Sequence, residues 1–95
     1  MTVAVLRIRF RLPAHTLKEK RSIVKSVVER VRTHFNAACA EIDDLDSPGY
    51  TTLGIACIAN ESQHADRQVQ NIAATIEAWR LDAELLDFEI ELIPA

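Results

Sequence analysis

Five basic side chains in the first third of the chain are the strongest candidates for binding chemistry: Lys18, Lys20, Arg21, Lys25 and Arg32. On a helix, four of them fall within about 60° of one another, and Lys20 falls on the other side. Cations in the first turns oppose the helix dipole, whereas a phosphate bound at the free N–H groups reverses that sign. We predict a phosphate- or RNA-binding patch here. The alternative is that these cations only keep an exposed surface hydrated.

Alternating charges on two segments form a second pattern, with Arg7, Arg9 and Arg11 near the amino end and Asp87, Glu89 and Glu91 near the other end. If both segments are neighbouring strands, one register pairs every arginine with an acid: Arg7 with Glu91, Arg9 with Glu89 and Arg11 with Asp87. RNA-binding sheets stack bases on exposed aromatic side chains, and the outward positions of these two predicted strands carry no aromatic residue. We predict a structural charge ladder, either solvated or part of an interface.

Motifs that carry enzymatic or metal chemistry are missing from the sequence. The chain has two glycines, Gly49 and Gly54, and therefore no glycine-rich phosphate loop. The acidic segment Asp43–Asp46 lacks the ligand spacing of an EF-hand and is expected to be a turn. We expect no cofactor, no metal and no catalysis. Acylphosphatase-like activity is the remaining enzymatic alternative, although the segment Pro13–Thr16 lacks the glycines that an anion-cradling loop needs.

Composition limits the kind of protein that this chain forms. Its 95 residues are 48% hydrophobic and 26% charged, which suits one globular domain spanning residues 1–95. No apolar run is long enough to span a membrane, and two cysteines are too few for a disulfide scaffold, so a cytoplasmic protein is expected. Nine basic and two acidic residues lie in 1–40, against two basic and twelve acidic in 41–95. The two halves either neutralise each other or expose a basic surface for nucleic acid.

Periodicity predicts the elements that position these side chains. Thr16 and Glu19 form a capping box, which starts a helix over Leu17–His34. A second helix begins at Asn60 or Ser62, and strands are expected over Met1–Leu12, Asn36–Asp43, Tyr50–Ala59 and Glu84–Ile93. The order βαββαβ predicts a ferredoxin-like α+β sandwich, with a four-stranded antiparallel sheet and both helices on one face.

The last strand is expected to place Leu86, Phe88, Ile90 and Leu92 inward, and Leu85 and Ile93 outward. Outward Val3, Val5, Leu85 and Ile93 would then flank the charge ladder as a small apolar patch. This patch supports a second interpretation, in which the protein is a structural or regulatory homodimer or larger homo-oligomer assembled through its sheet.

Four segments resemble the YlxP-like family of small bacterial proteins, a domain of unknown function. They are Thr16-Leu17-Lys18-Glu19-Lys20-Arg21-Ser22 with the following Val24-Lys25-Ser26, then Phe35-Asn36, Ala40-Glu41-Ile42 and Leu53-Gly54-Ile55-Ala56. Leu45 stands where the family usually carries a tryptophan-like residue. The resemblance implies a ferredoxin-like fold. Family genes often lie between those of a translation initiation factor and a ribosome-binding factor, which implies association with RNA or the ribosome. The family offers no catalytic residues to carry over.

Overall fold

The computed structural model describes all 95 residues and has the predicted order of elements. The strands are β1 (Thr2–Arg11), β2 (Ala38–Asp43), β3 (Tyr50–Ala59) and β4 (Glu84–Pro94), and the helices are α1 (Leu17–His34) and α2 (Ser62–Ala78). The four strands form one antiparallel sheet in the order β2-β3-β1-β4. The ferredoxin-like α+β fold is confirmed. Neither helix combines the length and apolar character that crossing a membrane requires.

Helix α1 starts where the capping box predicts. The Thr16 side chain accepts a hydrogen bond from Glu19 N–H at 3.1 Å, and Glu19 Oε2 accepts one from His15 N–H at 3.4 Å. These bonds use donors that the first helical turn leaves free. Further along, Val27, Val28 and Val31 are buried. Because β-branched residues are modest helix formers, their packing on the sheet contributes more to the helix than their intrinsic propensity.

One apolar cluster of 18 buried residues lies between the helices and the sheet. Alternate residues of the two central strands supply its floor, and Leu6, Ile8, Leu53 and Ile55 are completely buried there. The other face of the sheet carries the remaining residues of each strand and no helix covers it. We call it the open face.

The pairing of β1 with β4 differs from the predicted register by two residues. Arg7 faces Glu89, Arg9 faces Asp87, and a bulge follows between Arg9 and Phe10. The two-residue difference is present before the bulge, and the bulge then inserts one extra residue where the prediction assumed unbroken alternation. A two-residue shift alone would leave Arg11 without an acidic partner on β4. With the extra residue of the bulge, Arg11 faces Glu84.

The bulge also changes which side chains of β4 face the core. Leu85 faces Phe10 and packs against the core, so its predicted outward orientation is wrong. Three residues predicted to be inward, Leu86, Phe88 and Leu92, stay more than a third exposed. The strand β4 lies at the edge of the sheet, where the helices cover the apolar face only partly.

Candidate functional site

Three cations form the accessible part of the predicted basic patch. Lys18, Arg21 and Lys25 lie on α1 at spacings of three and four residues, which places them on one side of the helix. All three side chains are exposed, and none forms an ion pair with a carboxylate of the chain. Their charges are therefore available to an external anion.

Lys20 is not available to an external phosphate, which corrects its assignment to the patch. The residue is 1% exposed, and its Nζ lies 3.0 Å from Glu41 Oε2 and donates to the carbonyl of Asp44. Glu41 also accepts a hydrogen bond from the Thr51 hydroxyl at 2.6 Å. The helical angle that separates Lys20 from the other cations directs it toward β2, where it ties α1 to the sheet edge.

Arg32 also has a structural partner. Its Nε and Nη2 donate to the carbonyl of Cys39 on strand β2, at 3.1 and 2.7 Å. The guanidinium is thus held at the sheet edge, away from the first turns of α1. No carboxylate of the chain pairs with it, so its positive charge is not offset by an ion pair.

The amino end of α1 carries a capping residue and an acidic group of its own. Thr16 accepts the Glu19 N–H, and the Glu19 carboxylate, which accepts the N–H of His15, adds a negative charge beside this end of the helix. Like charge disfavours an anion at this point. The carboxylate therefore weakens the backbone contribution that the sequence predicts, and the three exposed cations of the helix carry more of the attraction for an anion.

The arginines of β1 form ion pairs that only partly follow the predicted ladder. Arg7 contacts both Glu91, at 3.0 Å, and Glu89, at 3.7 Å. Arg11 pairs with Glu84 at 3.4 Å, in place of the predicted Asp87. The Asp87 carboxylate instead accepts the N–H of the next residue.

Arg9 leaves the ladder and binds Asp44 in the loop between β2 and β3. Its Nε and Nη2 lie 3.1 and 3.3 Å from the two carboxylate oxygens, and the Thr52 hydroxyl donates to the same carboxylate at 2.7 Å. These bonds, the Arg9 bond first, lower the pKa of Asp44. Asp44 has φ 61°, a conformation that Asp tolerates better than most residues. Sequence reasoning found the turn but missed this role.

These contacts decide how the nine cations of residues 1–40 are used. Four of them have a carboxylate partner: Arg7, Arg9, Arg11 and Lys20. Arg32 binds a carbonyl, and Arg30 lies 4.2 Å above the Trp79 ring. The two halves of the chain therefore neutralise each other in part, and the unshared positive charge concentrates on α1.

The open face of the sheet is a second candidate surface. Large apolar side chains project from it, and Ile58 is 64% exposed, Ile42 47% and Ile93 40%. Val3 and Val5 are half-buried beside them. The predicted apolar patch thus contains Val3, Val5 and Ile93, and Ile58 takes the place of Leu85.

The cysteines are buried, and the side chains that could ligate a metal lie apart from one another. No three His, Cys, Asp or Glu side chains lie close enough together to hold an ion. Burial raises the pKa of the Cys39 thiol to about 11, so this thiol is protonated at neutral pH. The unpaired Cys57 is also buried. Both cysteines act as small apolar side chains of the core.

Comparison with known proteins identifies the family. Residues 3–90 match the family described as "Protein of unknown function (DUF503)". The chain is also similar to "Uncharacterized protein YlxP" of Bacillus subtilis (strain 168), with 32% identity over 66 residues, which cover 70% of this chain and 72% of that protein. The resemblance drawn from the sequence is confirmed, and the chain belongs to this DUF503, YlxP-like family.

Proposed function

We propose that the protein is a non-catalytic binding module that holds phosphate groups of RNA, free or in the ribosome, on the exposed side of α1. The observation that carries this proposal is the set of three cations, Lys18, Arg21 and Lys25, that share one helical face without carboxylate partners. The gene neighbourhood implied by the resemblance supports RNA as the source of the phosphates.

Three phosphate contacts set the strength and the salt response of this binding. For single-stranded RNA, each contact contributes about −0.7 to the slope of log affinity against log salt. Raising salt from about 50 to 200 mM should therefore lower the affinity about 20-fold. Contacts to phosphates carry no sequence information, so the binding should depend weakly on sequence.

A ribosomal RNA fragment labelled for fluorescence anisotropy tests the proposal. Lys18→Ala with Lys25→Ala should weaken binding at low salt and reduce the salt slope by about 1.4. The matched control is Arg67→Ala with Arg80→Ala, which removes two exposed cations outside α1 and lowers the net charge by the same amount. Equal losses in both variants would contradict a localised site and indicate only bulk attraction.

The non-catalytic part of the proposal has its own measurement. Acyl-phosphate hydrolysis above the rate of buffer would contradict it. The proposal includes a cytoplasmic location, which the two buried and unpaired thiols support because reducing compartments maintain free cysteines.

A second candidate function is self-assembly through the open face. Ile58, Ile42 and Ile93 project from a sheet face that no helix covers, and contiguous exposed apolar groups of this kind mark association sites. A strictly monomeric mass in light scattering at high concentration would contradict it.

A further inference from the structure

In its middle rows, the side chains of the open face project less from β2 and β3 than from β1 and β4. We call the β2–β3 side the low half and the β1–β4 side the high half. In the middle rows of β2 and β3 the side chains are small, and the strand pairs place Ala38 beside Ala56 and Ala40 beside Gly54. The larger Ile58 lies at one end of these rows, and at the other end the Ile42 side chain leans over Gly54. The same two rows continue onto β1 and β4 with longer side chains. The row of Ala56 continues with Val5 and Glu91, and the row of Gly54 continues with Arg7 and Glu89. These two middle rows therefore descend from β4 toward β2.

The low half forms an open groove of about 490 Å³, lined mainly by apolar side chains. Its charged lining residues are Arg7, on the side toward β1, and Arg32, at the β2 edge. Arg32 has no carboxylate partner of its own, whereas Glu89 on the opposite edge of the face has a 71% exposed side chain. The acidic β4 edge thus faces, at the level of the groove, a cation of the β2 edge that has no carboxylate partner.

We propose that the open face binds a second copy of the chain through a two-fold axis parallel to the strands, between β1 and β3. This inference rests on self-assembly as the second proposed function and adds the partner and its orientation. Rotation about this axis places β1 and β4 of each copy over β3 and β2 of the other. It leaves every residue at the same position along the strand direction, so each row faces its own equivalent. Val5 of the second copy lies above Ala56, and its Arg7 lies above Gly54, where it meets the Ile42 side chain.

The same axis matches charge and apolar surface. Glu89 and Glu91 of the second copy lie above Ala40 and Ala38, beside the unpaired charge of Arg32. At the apolar end, Ile58 lies across from Val3 of the second copy. Two rows are unfavourable: Asp43 lies level with Asp87 of the second copy, and the Arg7 side chains of the two copies lie next to each other across the axis. Both rows make the association weaker.

Other occupants fit the open face less well. RNA meets acidic groups along β4, and Tyr50, the aromatic side chain of this face, already has the Arg9 guanidinium 4.7 Å from its ring centre. Pairing of β4 with β4 of a second copy would bring the acids of both strands together on one face, which opposes that arrangement.

The area of the open face is sufficient for a weak dimer. Four strands about 4.8 Å apart and five outward rows about 6.8 Å apart cover about 500 Å². Two copies would bury about 1,000 Å² in total, which is at the lower limit for a specific interface. We therefore expect a dissociation constant in the micromolar range.

Sedimentation equilibrium at protein concentrations from about 1 μM to about 1 mM measures the association constant of the dimer. The inference is tested by comparing the natural chain with two variants that place a charge at position 40. Ala40 is an exposed residue of an edge strand, so both variants should fold, which circular dichroism verifies. Ala40→Lys should strengthen dimerisation and Ala40→Glu should weaken it, because each places its charge beside Glu89 of the second copy. An exposed pair changes affinity about 1.5- to 5-fold, and the two-fold repeats it, so each variant should shift the association constant about 2- to 30-fold.

Leu92→Glu is the control, because it adds an equal charge on the helix side of β4 and should leave the association constant unchanged. A chain that stays at 10.7 kDa at every concentration would overturn both self-assembly and this orientation. A dimer that responds to Leu92→Glu, or equally to both charges at position 40, would overturn the orientation alone.

Discussion

A buried ammonium group destabilises a fold unless hydrogen bonds and an opposite charge replace the water that it loses. Lys20 meets this condition through the Glu41 carboxylate and a loop carbonyl. Its neighbours Lys18 and Arg21 remain exposed on the other side of the same helix. One short basic segment therefore supplies both a structural tie and a binding surface, and helical angle alone separates the two roles.

Asp44 combines a left-handed backbone with a carboxylate bound by Arg9 and Thr52. Since these bonds hold its folded pKa below the ordinary 3.8, they stabilise the fold above that pH and lose this effect as the pH falls through the folded pKa. Asp44→Asn keeps the shape and tolerates the positive φ but cannot ionise. In urea unfolding, the variant should be less stable than the natural chain near pH 7, and the difference should shrink below about pH 3.8. A difference that is constant with pH would contradict this role of the carboxylate.

At the scale of elements, the bulge in β4 decides which leucine belongs to the core. Leu85 faces the buried Phe10, whereas Leu86 occupies the extra position and is exposed. Leu85→Ala should therefore lower the free energy of unfolding by about 2 kcal/mol and Leu86→Ala by less than about 1 kcal/mol. Chemical denaturation of the two variants measures this directly. A larger loss of stability in Leu86→Ala than in Leu85→Ala would contradict the bulge and support the unbroken alternation that the sequence suggests.

The elements and their order could be predicted because each has a local signal. The capping box at Thr16 and Glu19 starts α1, and alternation marks β1. The bulge has no such signal, because alternation in β4 is compatible with either register until Phe10 and Leu85 pack together. The bond between Arg9 and Asp44 joins distant segments and needs the folded loop, so the sequence revealed the residues of the site but not their partners.

For the whole molecule, the two proposed surfaces lie on opposite sides of the sandwich. Helix α1 covers one face of the sheet, and the open face is the other. Binding of RNA and binding of a second copy therefore do not compete for area. The unequal charges of the two halves of the sequence become one mostly neutralised sheet and one basic helix.

This separation makes a prediction about the length of the RNA. A dimer joined through the open faces directs its two α1 helices outward on opposite sides, so an RNA long enough to wrap around the dimer binds both, and the second contact becomes intramolecular. Affinity for long RNA should then exceed that for a short fragment and should rise with protein concentration, whereas short RNA should show neither effect. Ala40→Glu should remove the advantage of long RNA and leave the affinity for short RNA unchanged, because it weakens the dimer without touching α1. Anisotropy titrations with both lengths measure the two affinities, and a loss of short-RNA affinity in Ala40→Glu would show that the surfaces are not independent.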